Sequence, residues 1–276
     1  MNKFPNQHLL VDSDYLNSRL FDEKVIIIDA RTQGYEDGHI PSAVSLTPGN
    51  IIDRMHEVEG FIANTEQFES ILNKLGVQND ASIIVYDDGQ LLNAARIFYA
   101  LEYYGFYNRV KILAGGINSW VKAGLLLTRE ITFKTESAMT VKENPLLLTT
   151  KQQIAEKQGS TDYVVIDTRS KEEYDGTDKR RNKYGGHIPH AVHLSWTDNL
   201  IKNEDGNPAL RSYEELKAIY ETAGILPHKT AIPYCQTNIR GSNTYFVLRL
   251  MGYQDIRPYE GSWSEWGNAD DIKIEK

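Results

Sequence analysis

The sequence predicts an α/β protein of two tandem domains, each a mostly parallel sheet flanked by helices. Three observations carry this expectation. Five sequence blocks recur in the same order in the two halves, and short apolar runs alternate with helical patterns. The length, 276 residues, suits about two domains at roughly 150 residues each.

Taken in order, Leu10-Val11-Asp12-Ser13 opens a helix-like stretch, and Leu148-Thr149-Thr150-Lys151 opens its counterpart. The apolar runs Val25–Ile28 and Val164–Ile166 follow as strands, ending in Asp29-Ala30-Arg31 and Asp167-Thr168-Arg169. Next come Gly38-His39-Ile40-Pro41-Ser42-Ala43-Val44 and Gly186-His187-Ile188-Pro189-His190-Ala191-Val192. The offset between copies rises here from 138 to 148, so the second half carries ten more residues, most of them charged, between Arg169 and Gly185. Helical patterns at 65–75 and 213–223 precede the strands Ile83–Tyr86 and Thr230–Tyr234, after which Asp87 stands where the second half has Cys235. Helices over 92–104 and 242–251 and a strand Val110–Leu113 complete the pattern. Gly76, Gly105, Gly224 and Gly252 fall where helices are expected to end in a left-handed residue. The polar, threonine-rich stretch 126–144, bounded by Pro145, is expected to run over the surface as a connector between domains 1–125 and 145–276.

Composition removes several classes of function. The net charge is −8, and no basic run exceeds Lys179-Arg180-Arg181, which argues against nucleic acid or an anionic membrane as main partner. The apolar runs are far shorter than the roughly 20 residues that cross a bilayer. The first residues lack the basic, apolar and small-residue succession of a signal peptide, so the cytoplasm is the expected compartment. A single cysteine excludes an internal disulfide and a multi-cysteine metal site.

Cys235 sits where an α/β sheet places its ligands, at the carboxyl end of a strand. The segment Cys235-Gln236-Thr237-Asn238-Ile239-Arg240 is expected to turn between strand and helix, with Pro233 ending the ladder by withholding an N–H. Successive N–H groups and the positive end of the next helix form an anion-binding concavity that suits thiolates and oxyanions. Asn238 accepts a left-handed backbone cheaply, and Arg240 closes the turn with a fixed charge.

These features resemble the tandem rhodanese family of sulfurtransferases over nearly the whole chain. The likeness rests on the Asp-x-Arg strand ends, the paired Gly-His-Ile-Pro-x-Ala-Val segments, the cysteine loop confined to the second half, and Tyr259-Glu260-Gly261-Ser262-Trp263-Ser264-Glu265-Trp266. The resemblance implies two tandem rhodanese-like domains, the first inactive and the second catalytic. It implies that Cys235 takes sulfur from a small anionic donor as a persulfide and passes it to cyanide or a thiol, including one on a thioredoxin-like protein. No metal or organic cofactor is implied.

The resemblance makes Arg169 and Arg240 the substrate-binding cations, with Arg180 and Arg181 of the charged insertion able to reach the same anion. Gln236 and Thr237 stand where the animal thiosulfate enzymes carry basic residues. The mercaptopyruvate enzymes, with a small Gly-Ser/Ala-Gly loop, lack an arginine at the sixth position. Thiosulfate is therefore the expected donor and 3-mercaptopyruvate the alternative, for which Asp29, His39 and Thr237 resemble a proton relay. Otherwise Asp29 and Asp167 are expected to pair structurally with Arg31 and Arg169, His39 and His187 to share a packing role, and Trp263 and Trp266 to pack the core or domain interface.

Two other classes compete. Cysteine phosphatases and arsenate reductases also place a thiolate before an arginine-closed anion loop, but their loops are one residue longer. A non-catalytic binding module suits the first half, whose loop from Asp87 ends without arginine. There a carboxylate is expected to occupy the loop donors and repel an anionic donor.

Overall fold

The computed structural model describes residues 3–276 and shows both α/β units. In the first half the strands are β1 Leu10–Val11, β2 Val25–Asp29, β3 Ala43–Ser45, β4 Ser82–Tyr86 and β5 Val110–Leu113. Among the described residues they form one parallel sheet in the order β1-β5-β4-β2-β3. The helices are α1 Ser13–Asn17, α2 Thr65–Lys74, α3 Asn93–Leu101 and α4 Gly116–Lys122. Apolar residues fill β2 and β4 on both faces, as a sheet covered by helices on both sides requires.

The second half repeats the plan. Helices α5 Lys151–Lys157, α6 Lys171–Tyr174, α7 Tyr213–Thr222, α8 Ile239–Leu250 and α9 Ser262–Trp266 surround β6 Tyr163–Asp167, β7 Val192–His193 and β10 Thr230–Tyr234, which pair in parallel in the order β10-β6-β7. A hairpin of β8 Leu200–Lys202 and β9 Pro208–Leu210 matches the antiparallel bridge between Ile52 and Ile62 in the first half. The stretch 126–144 is laced to the first half: Thr128 bridges to His39, and Asn73 receives the N–H groups of Ser137 and Met139.

Three local expectations are corrected. Pro233 does not end the ladder, because its carbonyl accepts the N–H of Tyr259 at 3.0 Å and β10 runs on to Tyr234. The donor that proline lacks is replaced from outside the strand, where the Thr149 hydroxyl donates to the Arg257 carbonyl at 3.0 Å. The helix after the cysteine begins at Ile239 rather than Ser242, so Ile239 and Arg240 belong to its first turn. Asn238, left-handed at φ 57°, ends the loop sooner than composition alone suggests. The helix expected over 92–104 also loosens, widening after Leu101 into a π-turn that closes at Gly105.

One apolar core runs through both halves. Its seam is the pair α3 and α8, with Phe98 edge-on to Phe246 and Tyr99 edge-on to Tyr245, ring centroids 5.0 and 5.2 Å apart. Beside them Arg249 meets Glu102 through Nε and Nη2, each at 3.0 Å, and Tyr245 donates to the same carboxylate at 2.6 Å. Glu102 and Arg249 occupy matching places in the two repeats. Trp263 and Trp266 pack within the second half, against Ile154, Ile188, Tyr234 and Tyr259, and not at the seam.

Candidate active site

Cys235 follows the last residue of β10 and is 1% exposed. Its N–H donates to the Ser262 hydroxyl at 3.2 Å, and its carbonyl accepts from Trp263 N at 2.9 Å. The Gln236 carbonyl is held by the N–H and hydroxyl of Ser264, at 3.0 and 2.7 Å. The Gln236 amide exchanges two hydrogen bonds with Asn182 from the charged insertion. With the Cys235 and Gln236 carbonyls drawn toward α9, none of the N–H groups of Gln236, Thr237, Asn238, Ile239 and Arg240 donates to another described residue. Together with the helix N-terminus they can cradle an anion on the Cys235 sulfur.

The first half supplies an opposing wall. Gly60 lies so close to Thr237 that a Cβ added at Gly60 would stand 2.6 Å from the Thr237 Cβ. A cleft of about 340 Å³ opens there, lined among others by Arg54, His56, Glu59 and Thr237.

Arg240, in the first turn of α8, points to a group that the motif analysis passed over. Its Nη1 and Nη2 bind both oxygens of Glu173, at 2.6 and 3.0 Å. Arg180 binds the same carboxylate through Nε at 2.8 Å while half-exposed. Burial alone would raise the Glu173 pKa, but Arg240, the Ser170 N–H and Arg180 outweigh it and hold the carboxyl down at about 2. Arg240 is held above its ordinary value: burial opposes its charge, and Glu173 and the charge of Cys235 overcome burial. Arg181 is exposed and makes no ion pair among the described residues.

Arg169 is 1% exposed and committed to its own strand end. Its Nε and Nη2 bind Asp167 at 2.9 and 2.6 Å, Nη2 also donates to the Gly186 carbonyl at 2.7 Å, and the guanidinium lies over the Trp263 ring. Asp29 and Arg31 repeat this pair in the first half. Tyr86 and Tyr234 complete the two arrangements by donating to Asp29 and Asp167. His39 stacks on Tyr35, and His187 on Tyr174, with each Nδ1 against the carbonyl of the stacked tyrosine. Among the described residues no hydrogen bond joins Asp29 or His39 to Thr237.

In the first half, Asp87 fills its own loop. It accepts the N–H groups of Gly89, Leu91 and Ala94 at 2.8, 3.3 and 3.2 Å. Burial raises its pKa despite these donors.

Motif reading missed Glu173, Asn182 and Arg96, and took Glu260 and Ser262 only as part of the 259–266 segment without giving them a role. Glu173 carried a signal of another kind: Ser170-Lys171-Glu172-Glu173 is a capping box, whose carboxylate returns to the Ser170 N–H and thus lies beside the strand end. Glu260 and Arg96, 2.5 Å apart at closest, meet across the domain seam and share no local pattern.

Comparison with known proteins agrees with this geometry. The rhodanese-like domain profile matches residues 12–123 and again 150–269. Thiosulfate sulfurtransferase of Azotobacter vinelandii is 30% identical over 276 residues, covering all of both chains. The sulfur carrier protein TtuD of Thermus thermophilus is 31% identical, covering 99% of this chain and 98% of its own. Among solved structures, SseA of Escherichia coli, described as a 3-mercaptopyruvate sulfotransferase, superposes with a TM-score of 0.82 at 26% identity over 92% of this chain and 98% of its own. With two domain matches spanning most of its length and full-length relatives at this identity, the chain belongs to the rhodanese-like family, in the form that carries two copies in tandem.

Proposed function

We propose that the protein is a thiosulfate sulfurtransferase acting through a persulfide on Cys235. The observation that carries this is the contrast between two equivalent loops. Asp87 consumes the N–H groups of the first, while those of the second stay free beside a buried thiol. The Cys235 thiolate attacks the outer sulfur of thiosulfate, the S–S bond breaks, and sulfite leaves with the electron pair. A cyanide or thiol nucleophile then attacks the outer sulfur of the persulfide, and Cys235 recovers its thiolate. The loop N–H groups stabilise the persulfide anion, and Arg240, partly neutralised by Glu173, supplies the nearby cation. Arg169 acts on the donor through the strand end it holds. Arg180, bound to the same carboxylate as Arg240, and the exposed Arg181 are further candidate contacts for the incoming anion.

The full-length relative named thiosulfate sulfurtransferase supports this donor. The likeness to SseA favours 3-mercaptopyruvate as a second donor. Against it, Asp29 and His39 spend their hydrogen bonds within the first half and the connector. The Thermus relative, named a sulfur carrier protein, supports a protein thiol as acceptor, and a thioredoxin-like protein fits that role in the cytoplasm. No described helix is long and apolar enough to cross a membrane. Domain 1–125 serves as an inert partner, 126–144 as the connector and 145–276 as the catalytic unit.

Intact-mass measurement after incubation with thiosulfate, 3-mercaptopyruvate or a phosphate ester tests the reading. Gain of one sulfur from thiosulfate supports it, gain only from 3-mercaptopyruvate moves the protein to the alternative donor, and gain of a phosphoryl group refutes both.

A further inference from the structure

The ion pair between Arg96 and Glu260 takes no part in the chemistry above, yet it ends on the cysteine loop. Arg96, on α3 of the first half, donates from Nη1 to Glu260 Oε2 at 2.9 Å and from Nη2 to Oε1 at 2.5 Å. Each residue is 1% exposed. Glu260 Oε1 also accepts the Ile62 N–H at 3.0 Å, and Oε2 accepts Asn238 Nδ2 at 2.7 Å. Arg96 Nη2 reaches the Gly60 carbonyl at 3.3 Å. One buried carboxylate thus joins α3, the 60–62 segment that faces Thr237, and the residue that precedes α8.

Asn238 shows that this link carries a cost. Its left-handed backbone needs only a glycine, so what asparagine adds is the amide. With Nδ2 turned to a carboxylate, which can only accept, the Oδ1 is left buried without a hydrogen-bond partner. A side chain at Gly241 would place its Cβ 2.4 Å from that oxygen, so the first turn of α8 is bare where the amide sits. Burial opposes the Arg96 charge, but Glu260 outweighs burial, and the charge of Cys235 acts in the same sense as Glu260.

We propose that Arg96 is a positioning residue for sulfur transfer: through Glu260 and Asn238 it fixes how the loop and α8 present their N–H groups to the sulfur on Cys235. This rests on the persulfide reading of Cys235. It assigns the first half, which has no cysteine nucleophile of its own, a role in the reaction beyond that of a wall facing Thr237.

The test is single-turnover persulfide formation by the full-length protein with thiosulfate, followed by mass, in Arg96→Met, Arg96→Lys and Asn238→Gly. Asn238→Gly keeps the left-handed backbone and removes the tether together with the unpartnered Oδ1, so it remains informative if the Arg96 variants fail to fold. The maximal rate per folded molecule should fall on the order of tenfold in Arg96→Met and Asn238→Gly, as expected for loss of a charge-assisted hydrogen bond. The half-saturating thiosulfate concentration should not move, because Arg96 does not touch the donor. Arg96→Lys should recover part of the loss, and Arg96→Met should add little in the Asn238→Gly background, where the link is already cut. A purely structural Arg96 would lower the thermal midpoint and leave the rate per folded molecule unchanged. That result, a wild-type rate in Asn238→Gly, or independent losses in the double variant would overturn the proposal. Failure of the wild-type protein to take sulfur from thiosulfate would instead refute the reading of Cys235, and this proposal with it.

Discussion

Arg240 grips Glu173 by two hydrogen bonds, and Arg180 grips the same carboxylate from the solvent side. The pair lies at the mouth of the cysteine loop and has a pH signature. The Glu173 pKa is lowered in the folded state from 4.5 to about 2, so its contribution to stability is fully present above pH 4.5 and is lost as pH falls through about 2. Glu173→Gln should therefore be less stable than wild type at pH 7, with the difference shrinking as pH falls below 4.5. Urea unfolding at pH 7 and pH 3 checks this, and a difference that grows on acidification would contradict it.

Cys235→Ser should fold normally and transfer no sulfur. The hydroxyl is close in size to the thiol but a poor nucleophile at neutral pH, and the hydrogen bonds of residue 235 to Ser262 and Trp263 are made by its backbone. Thiocyanate formation from thiosulfate and cyanide measures the loss, and circular dichroism the fold. Turnover at the wild-type rate would remove Cys235 from the mechanism.

Arg240→Ala and Arg169→Ala should fail differently. Loss of Arg240 should weaken use of thiosulfate by about 1.5–3 kcal/mol in kcat/KM, the range for a charge-assisted contact. Loss of Arg169 leaves Asp167 buried without its guanidinium partner, which should cost about 3–5 kcal/mol of stability. Steady-state kinetics paired with denaturant unfolding separates the two. Equal stability of Arg169→Ala and wild type would show that the Asp167 pair is not what holds this strand end.

Residues 145–276 alone should be poorly soluble and less stable than in the whole chain. Tyr245 and Phe246 would lose Tyr99 and Phe98, and Arg249 and Glu260 would lose Glu102 and Arg96. Expression of this half, with light scattering and a thermal scan, decides the matter. A monodisperse half with a normal transition would mean that the seam contributes little.

The tandem architecture was legible because duplication writes every element twice, so Asp29 and Asp167, or Asp87 and Cys235, could be read against each other. Cys235 and Arg240 were legible because a strand-to-helix turn is a local pattern. The start of α8 was misplaced because the backbone of one residue, Asn238, decides it. Pro233 misled because its missing donor is made good by Thr149, far away in sequence. The pairing of Glu260 with Arg96 was invisible for the same reason, since a contact across the seam leaves no mark within either repeat.

The buried pair of Glu102 and Arg249 bears on how a duplicated protein keeps its halves in order. The two residues hold equivalent positions, so a complex of two first halves would set carboxylate against carboxylate in the seam, and one of two second halves would set guanidinium against guanidinium. Either mispairing would bury like charges with no counterion. Only the mixed pairing neutralises both. The opposite charges at one matched position therefore act as a mating code that favours the pairing of unlike halves.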